Sequence, residues 1–106
     1  MMESGTIILL RFPFSDRIGF KRRPALVLKD FEDGDLIVCR ITSKIYRSKY
    51  DIYIDNWSHF GLRLPSVIRV HKMATLESDM IESIMGCIDD ITLNKVKQVY
   101  LSIIDN

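Results

Sequence analysis

Apolar residues recur along this chain with two different periods, and the change falls in its last quarter. Before that point the pattern is one of short runs and alternation. Thr6 to Phe12 is an apolar run rich in β-formers and stopped by Pro13. Ala25 to Lys29 follows Pro24, and Leu36 to Thr42 is launched by the turn signal Glu32-Asp33-Gly34-Asp35. Tyr50 to Asp55 alternates, with Asp51, Tyr53 and Asp55 on one face and Ile52 and Ile54 on the other, as a strand with one wet side does. Val67 to Met73 also alternates and places Val67, Arg69, His71 and Met73 together. From Leu93 onward the spacing becomes three and four: Leu93, Val96, Val99, Tyr100, Ile103 and Ile104 form one stripe of an amphipathic helix, with Thr92 or Asp90 as its N-cap. Between the two regimes, Ser78 to Ile84 is expected to make a short helical turn, with Ser78 capping and Gly86 ending it.

About five short strands followed by one docked helix predict a mainly β fold with a C-terminal α-helix. The strands form a small, strongly bent antiparallel sheet or barrel, and the helix covers one opening or face. With 106 residues, 47% hydrophobic, and only five Gly and three Pro, residues 1–106 are expected to form a single domain. The longest aliphatic run, Ile7-Ile8-Leu9-Leu10, falls far short of the roughly 20 residues a bilayer span needs, and Glu3 stands where a secretory signal wants positive charge. A soluble, cytoplasmic protein with no membrane partner is expected. Cys39 and Cys87 stand apart with no CxxC or Cys/His cluster, which argues against a zinc site or disulfide scaffold and for two buried free thiols.

The net charge of +1 hides an asymmetry. Met1 to Leu76 carries 13 Lys/Arg against 8 Asp/Glu, whereas Glu77 to Asn106 carries 2 against 6. Arg11 to Lys29 holds six basic residues and one acid, and Arg40 to Lys49 holds four and none. Where those stretches meet they would make an anion-binding surface, against the plainer reading of a solvated basic face. The acidic tail segment, with Glu77, Asp79, Glu82, Asp89 and Asp90, reads as a solvated face that would keep an anion to the opposite, basic side.

Three segments carry candidate chemistry. In Lys21-Arg22-Arg23-Pro24, the proline pushes Arg23 toward an extended backbone at the mouth of a strand, with Lys21 and Arg22 on the mobile side, so a fixed guanidinium can meet a phosphate bidentately. Ile41-Thr42-Ser43-Lys44 puts two hydroxyls and an ammonium at a strand end, suited to phosphate oxygens or to plain turn chemistry. In Pro65-Ser66-Val67-Ile68-Arg69-Val70-His71-Lys72, period-2 geometry sets Arg69 and His71 about 7 Å apart on one face, where one can hold an anion and the other move a proton. Trp57, His59 and Phe60 precede Gly61 and read either as base-stacking residues or as cover for a barrel edge or a dimer contact. Met73, Met80 and Met85 read as core or interface filler.

The ordered set GTIILLRFPF (Gly5 to Phe14), RRPALVL (Arg22 to Leu28), ITSK (Ile41 to Lys44) and GLRLPSVIRVHKMATL (Gly61 to Leu76) resembles the MazF/PemK family of type II toxin–antitoxin toxins. The resemblance spans nearly the whole chain. It implies an SH3-like barrel, a homodimer, a cognate antitoxin as partner, and metal-independent, cofactor-free cleavage of single-stranded RNA. Operator DNA would be met only as a complex with the antitoxin. In that chemistry the ribose 2′-hydroxyl attacks the adjacent phosphorus, leaving 2′,3′-cyclic phosphate and 5′-hydroxyl ends. Position by position the resemblance implies Arg23, Thr42 and Arg69, the last as acid, in the catalytic set; His71 is added to that set as a candidate base, and Lys21, Arg22, Ser43, Lys44 and Ser66 are expected to bind RNA. Two departures stand out. PemK-type members carry an Asp base where this chain has His71, whose neutral imidazole is expected to take over as base. They also carry polar residues where this chain has Arg17, Ile18, Gly19, Phe20 and Lys21. A barrel that binds RNA or protein without cutting is the first alternative. A gyrase poison of the CcdB type is the second, although the ending Tyr100 to Asn106 lacks that group's terminal Trp-Gly-Ile.

Overall fold

The computed structural model describes residues 1–13 and 20–105, so the readings made for Phe14, Asp16, Arg17, Ile18, Gly19 and Asn106 lie outside it. Its strands are β1 (Thr6–Pro13), β2 (Phe20–Asp30), β3 (Asp35–Thr42), β4 (Asp51–Ile54), β5 (Ser66–Glu77) and β6 (Ile81–Cys87), followed by helix α1 (Asp90–Ile104). All pairings are antiparallel, in the order β4-β5-β3-β2-β1-β6. The central strands are apolar on both faces, and alternation sorts their residues into two cores. Ile7, Leu26, Cys39 and Ile41 pack with Ile52, Ile68 and Val96 on one side; Ile8, Leu10, Ala25, Val27, Leu36 and Val38 pack on the other.

The sheet curls until the loop after β4, at one edge, meets β6 at the other. The backbone of Phe60–Gly61 lies against Met85–Gly86 so closely that a Cβ on either glycine would fall 2.0–2.1 Å from a carbonyl oxygen. This is the expected SH3-like barrel with a C-terminal helix. α1 packs over β4 and β5, seating Val96 with Leu93, Val99 and Ile103 against the first core. Tyr100 and Ile104, which the stripe also included, stay exposed. The helix is capped one residue earlier than expected: Asp89, in an extended conformation, accepts the Thr92 N–H at 2.8 Å, and that bond holds its carboxyl below the ordinary value.

Several expectations are corrected. Ser78–Met80 forms a single 3-10 turn with no side-chain cap, and Ile81–Cys87 is a strand; pairing with β1 from Thr6 to Leu10 holds it extended. β2 starts at Phe20, so Lys21 and Arg22 belong to a strand, paired with Phe12 and Arg11, rather than to a mobile loop. Pro24 is tolerated inside it because pairing with β3 ends at Ala25, leaving an edge-like position where no N–H is needed. Trp57 is half-buried and Phe60 buried against the first core, while His59 is exposed. Met73, Met80 and Met85 are packed against the cores as filler.

Only one thiol is buried. Cys39 lies in the first core, where burial pushes it up to about 12, and Cys87 at the end of β6 is exposed. A thiol reagent is therefore expected to label Cys87 promptly in the native protein and Cys39 only on unfolding; two equally fast thiols would contradict this packing.

Candidate functional site

Thr42 and Ser66 are the buried polar residues among those described, and they close the adjoining ends of β3 and β5. Both line a groove of about 710 Å³. β2 contributes Arg22, Arg23 and Pro24 to it, the loop before β5 contributes Leu62, Arg63 and Leu64, and β6 contributes Glu82 to Met85. Thr42 Oγ1 accepts the Lys44 N–H at 3.2 Å, which braces the turn and leaves the hydroxyl proton to be donated. The Ser66 hydroxyl donates to the Leu64 carbonyl at 2.9 Å, fixing the loop that forms one wall.

Among the described residues, three guanidinium residues against one carboxylate make the groove electropositive; Arg22 and Arg23 come from the first basic stretch, Arg63 from neither, and no basic residue of the stretch Arg40 to Lys49 lines it. At the rim, Arg22 Nε donates to Glu82 Oε2 at 2.6 Å; this bond holds the carboxyl below its ordinary value and raises the guanidinium's. Glu82 thus belongs to the groove, contrary to the expectation that the acidic segment lies wholly on the far face. Arg63 and Glu82 were not singled out from sequence. Arg63 stood within the quoted GLRLPS string, but no local signal marked Glu82.

Arg69 and His71 lie elsewhere. Arg69 Nε donates to Asp51 Oδ1 at 2.8 Å and Nη2 to Oδ2 at 3.4 Å, with the two side chains only 12% and 1% exposed. The guanidinium also sits 3.6 Å from the centre of the Tyr46 ring. The His71 ring stacks tilted on Tyr50 at 5.0 Å. The strict alternation assumed for this strand is interrupted: Met73 pairs with Cys39 and Arg69 with Arg40, so Val70, His71 and Lys72 form a bulge with no counterparts on β3. The structure therefore brings Arg22, Arg23, Thr42, Ser43 and Ser66 together in the groove and gathers Arg69 and His71 with Tyr46, Tyr50 and Asp51. Residues 42–46 join the two clusters, and Lys44 Nζ lies 5.1 Å over the Tyr46 ring. Lys21 is exposed on β2 and is not among the groove's lining residues.

Burial alone would push the Asp51 carboxyl up, but hydrogen bonds from Arg69 and Ser48 outweigh it and hold the group below its ordinary value. A lowered folded-state value contributes stability that is complete above the ordinary carboxylate value of about 4 and is lost as pH falls through the folded one. Asp51→Asn is expected to cost about 3 kcal/mol at neutral pH, because it strands a largely buried guanidinium. Urea unfolding at a series of pH values should show the gap from wild type closing below about pH 4; a pH-independent gap would contradict the ion pair's role.

The sequence profile of the family described as "PemK-like, MazF-like toxin of type II toxin-antitoxin system" matches residues 3–103. The chain belongs to this family. Its fold agrees with solved structures of low sequence identity. "Crystal structure of MazE-MazF (Form-III) from Deinococcus radiodurans" superposes with a TM-score of 0.80 at 22% identity, covering 98% of this chain and 96% of that one. "Endoribonuclease in complex with its cognate antitoxin from Mycobacterial species" gives 0.78 at 15% identity, over 99% and 96%. "Mycobacterium tuberculosis toxin MazF-mt6" gives 0.73 at 17% identity, over 92% and 96%. No curated protein matches the chain by sequence. No described helix of this MazF/PemK-type toxin is long and apolar enough to cross a membrane.

Proposed function

We propose that this toxin cuts single-stranded RNA without a metal, with the scissile phosphate held in the groove around Arg23 and Thr42. The observation that carries the reading is the convergence there of Arg23 with the two buried polar residues, Thr42 and Ser66. Preorganised donors of this kind stabilise charge far better than mobile ones. The nucleophile is the RNA's own 2′-hydroxyl, so no outside water has to be activated. Its oxygen bonds to phosphorus, the bond from phosphorus to the 5′-oxygen breaks, the 2′-proton passes to a base and the 5′-oxygen gains one. A 2′,3′-cyclic phosphate and a 5′-hydroxyl result.

Arg23 offsets charge on the phosphorane's non-bridging oxygens, and the Thr42 hydroxyl donates to one of them. Arg22, Arg63 and Ser43 hold the flanking backbone. RNA leaving the groove follows residues 42–46 toward Arg69 and His71; Arg69, which the family resemblance makes the acid, lies outside the groove and is tied to Asp51, so its part is to hold the RNA backbone there. The toxin works in the cytoplasm as a homodimer, and an antitoxin with an acidic flexible segment fills the same electropositive groove and blocks it.

The direct test places a single 2′-deoxyribose on the 5′ side of a mapped cleavage point in a short RNA. Complete protection of that bond is expected, with neighbouring sites still cut. Continued cleavage there would require an external nucleophile and would sink the proposed chemistry.

A further inference from the structure

His71 was expected to act as the base, yet its surroundings lack what a histidine base requires. Nδ1 is fully buried and has no hydrogen-bond partner among the described residues, although the residue as a whole is only half-buried. Nε2 is therefore the nitrogen left to meet solvent or a ligand. A histidine that takes up a proton at Nε2 must carry N–H groups on both nitrogens, and the orienting acceptor at Nδ1 is what makes that state accessible. No such acceptor is present among the described residues. Asp51, which lies next to Tyr50, has both oxygens engaged: Arg69 holds Oδ1, and the Ser48 N–H and hydroxyl hold Oδ2 at 2.9 and 2.6 Å. The Tyr50 ring packs against the imidazole.

Orphaned buried N–H groups are rarer than under-satisfied acceptors. The favoured neutral form accordingly keeps a bare lone pair at the buried Nδ1 and a proton at Nε2. We infer that His71 serves this toxin as an Nε2–H donor to a backbone phosphate oxygen of bound RNA and not as the general base. The His71 ring lies against Tyr50, over whose ring Lys49 Nζ stands at 5.2 Å, and Lys44 Nζ lies 5.1 Å over the Tyr46 ring, so two ammonium groups make a phosphate the fitting acceptor in that region. This inference rests on the ribonuclease reading for its substrate, while the protonation pattern stands by itself.

Two measurements on the full chain decide it. In nitrogen-15 NMR of the imidazoles at neutral pH, with His59→Gln assigning the second ring, His71 is expected to show the Nε2–H tautomer; the Nδ1–H tautomer would overturn the inference. Glutamine can place an N–H where Nε2 stood, and asparagine only where Nδ1 stood. His71→Gln should therefore keep cleavage, and affinity for a 2′-deoxy-blocked RNA, within about threefold, whereas His71→Asn and His71→Ala lose about 30-fold in both. Loss in His71→Gln as deep as in His71→Ala would restore the base role. If wild type itself failed to cut, the ribonuclease reading would fall, and the tautomer and the blocked-RNA affinities would still decide the donor role.

Discussion

Arg23→Ala is expected to lower RNA cleavage by about two to three orders of magnitude, the loss typical of removing one preorganised donor from a developing oxyanion. Stability should change little, because Arg23 is not part of either apolar core and contributes to a groove wall. The neighbouring Arg22 stands at the rim, bridged to Glu82, where it is expected to hold flanking backbone and not the scissile phosphate. Arg23→Lys should recover only part of the rate, because an ammonium lacks the planar fork that meets two phosphate oxygens together. Single-turnover cleavage at saturating RNA, beside thermal melting, checks both claims. An alanine variant that cuts within threefold of wild type would remove Arg23 from the site.

The second large effect concerns barrel closure. Gly61→Ala and Gly86→Ala are each expected to cost more than about 3 kcal/mol, enough to unfold a domain of marginal stability. A Cβ on Gly61 would lie 2.0 Å from the Met85 carbonyl oxygen, and one on Gly86 would lie 2.1 Å from that of Phe60. Both obstacles are backbone, which cannot swing aside. Gly61 also has φ of +89°, where a side chain is strained whatever the space. Gly34 separates the two costs. Its φ is +98° but nothing lies within 4 Å of its Cβ position, so Gly34→Ala should cost only about 1–2 kcal/mol. Urea denaturation of the three variants gives the order directly; equal costs at Gly34 and Gly86 would mean that the edges do not meet as described. The consequence reaches function, because this contact holds the Gly61–Leu64 wall against the Met85 wall of the groove.

What could be read from sequence follows from which interactions are local. β1, β3 and α1 were legible because their burial imposes a period on the residues themselves. β6 was not: Ile81-Glu82-Ser83-Ile84 has no alternation, most of its side chains are exposed, and its extended form comes from hydrogen bonding to β1. Pro24 was read as the start of a strand because a proline usually marks a boundary, and only the absence of a β3 partner beyond Ala25 explains why β2 runs through it. At the site, Arg23 and Thr42 could be singled out because each stands at a local landmark, before a proline or at a strand end. The Arg22–Glu82 bridge spans 60 positions and the Arg69–Asp51 pair spans 18, so neither leaves a mark in any short window. The β5 bulge is likewise invisible in a segment whose sequence alternates, and it overturns the simple geometry assumed for Arg69 and His71.

This MazF/PemK-type toxin is proposed to cut RNA by the RNA's own 2′-hydroxyl. The most direct measurement incubates the toxin with a long single-stranded transcript in excess EDTA and maps the chemistry of every new end. Discrete cuts bearing 5′-hydroxyls and 2′,3′-cyclic phosphates are the predicted result. An intact transcript, or new ends bearing 5′-phosphates, would contradict it.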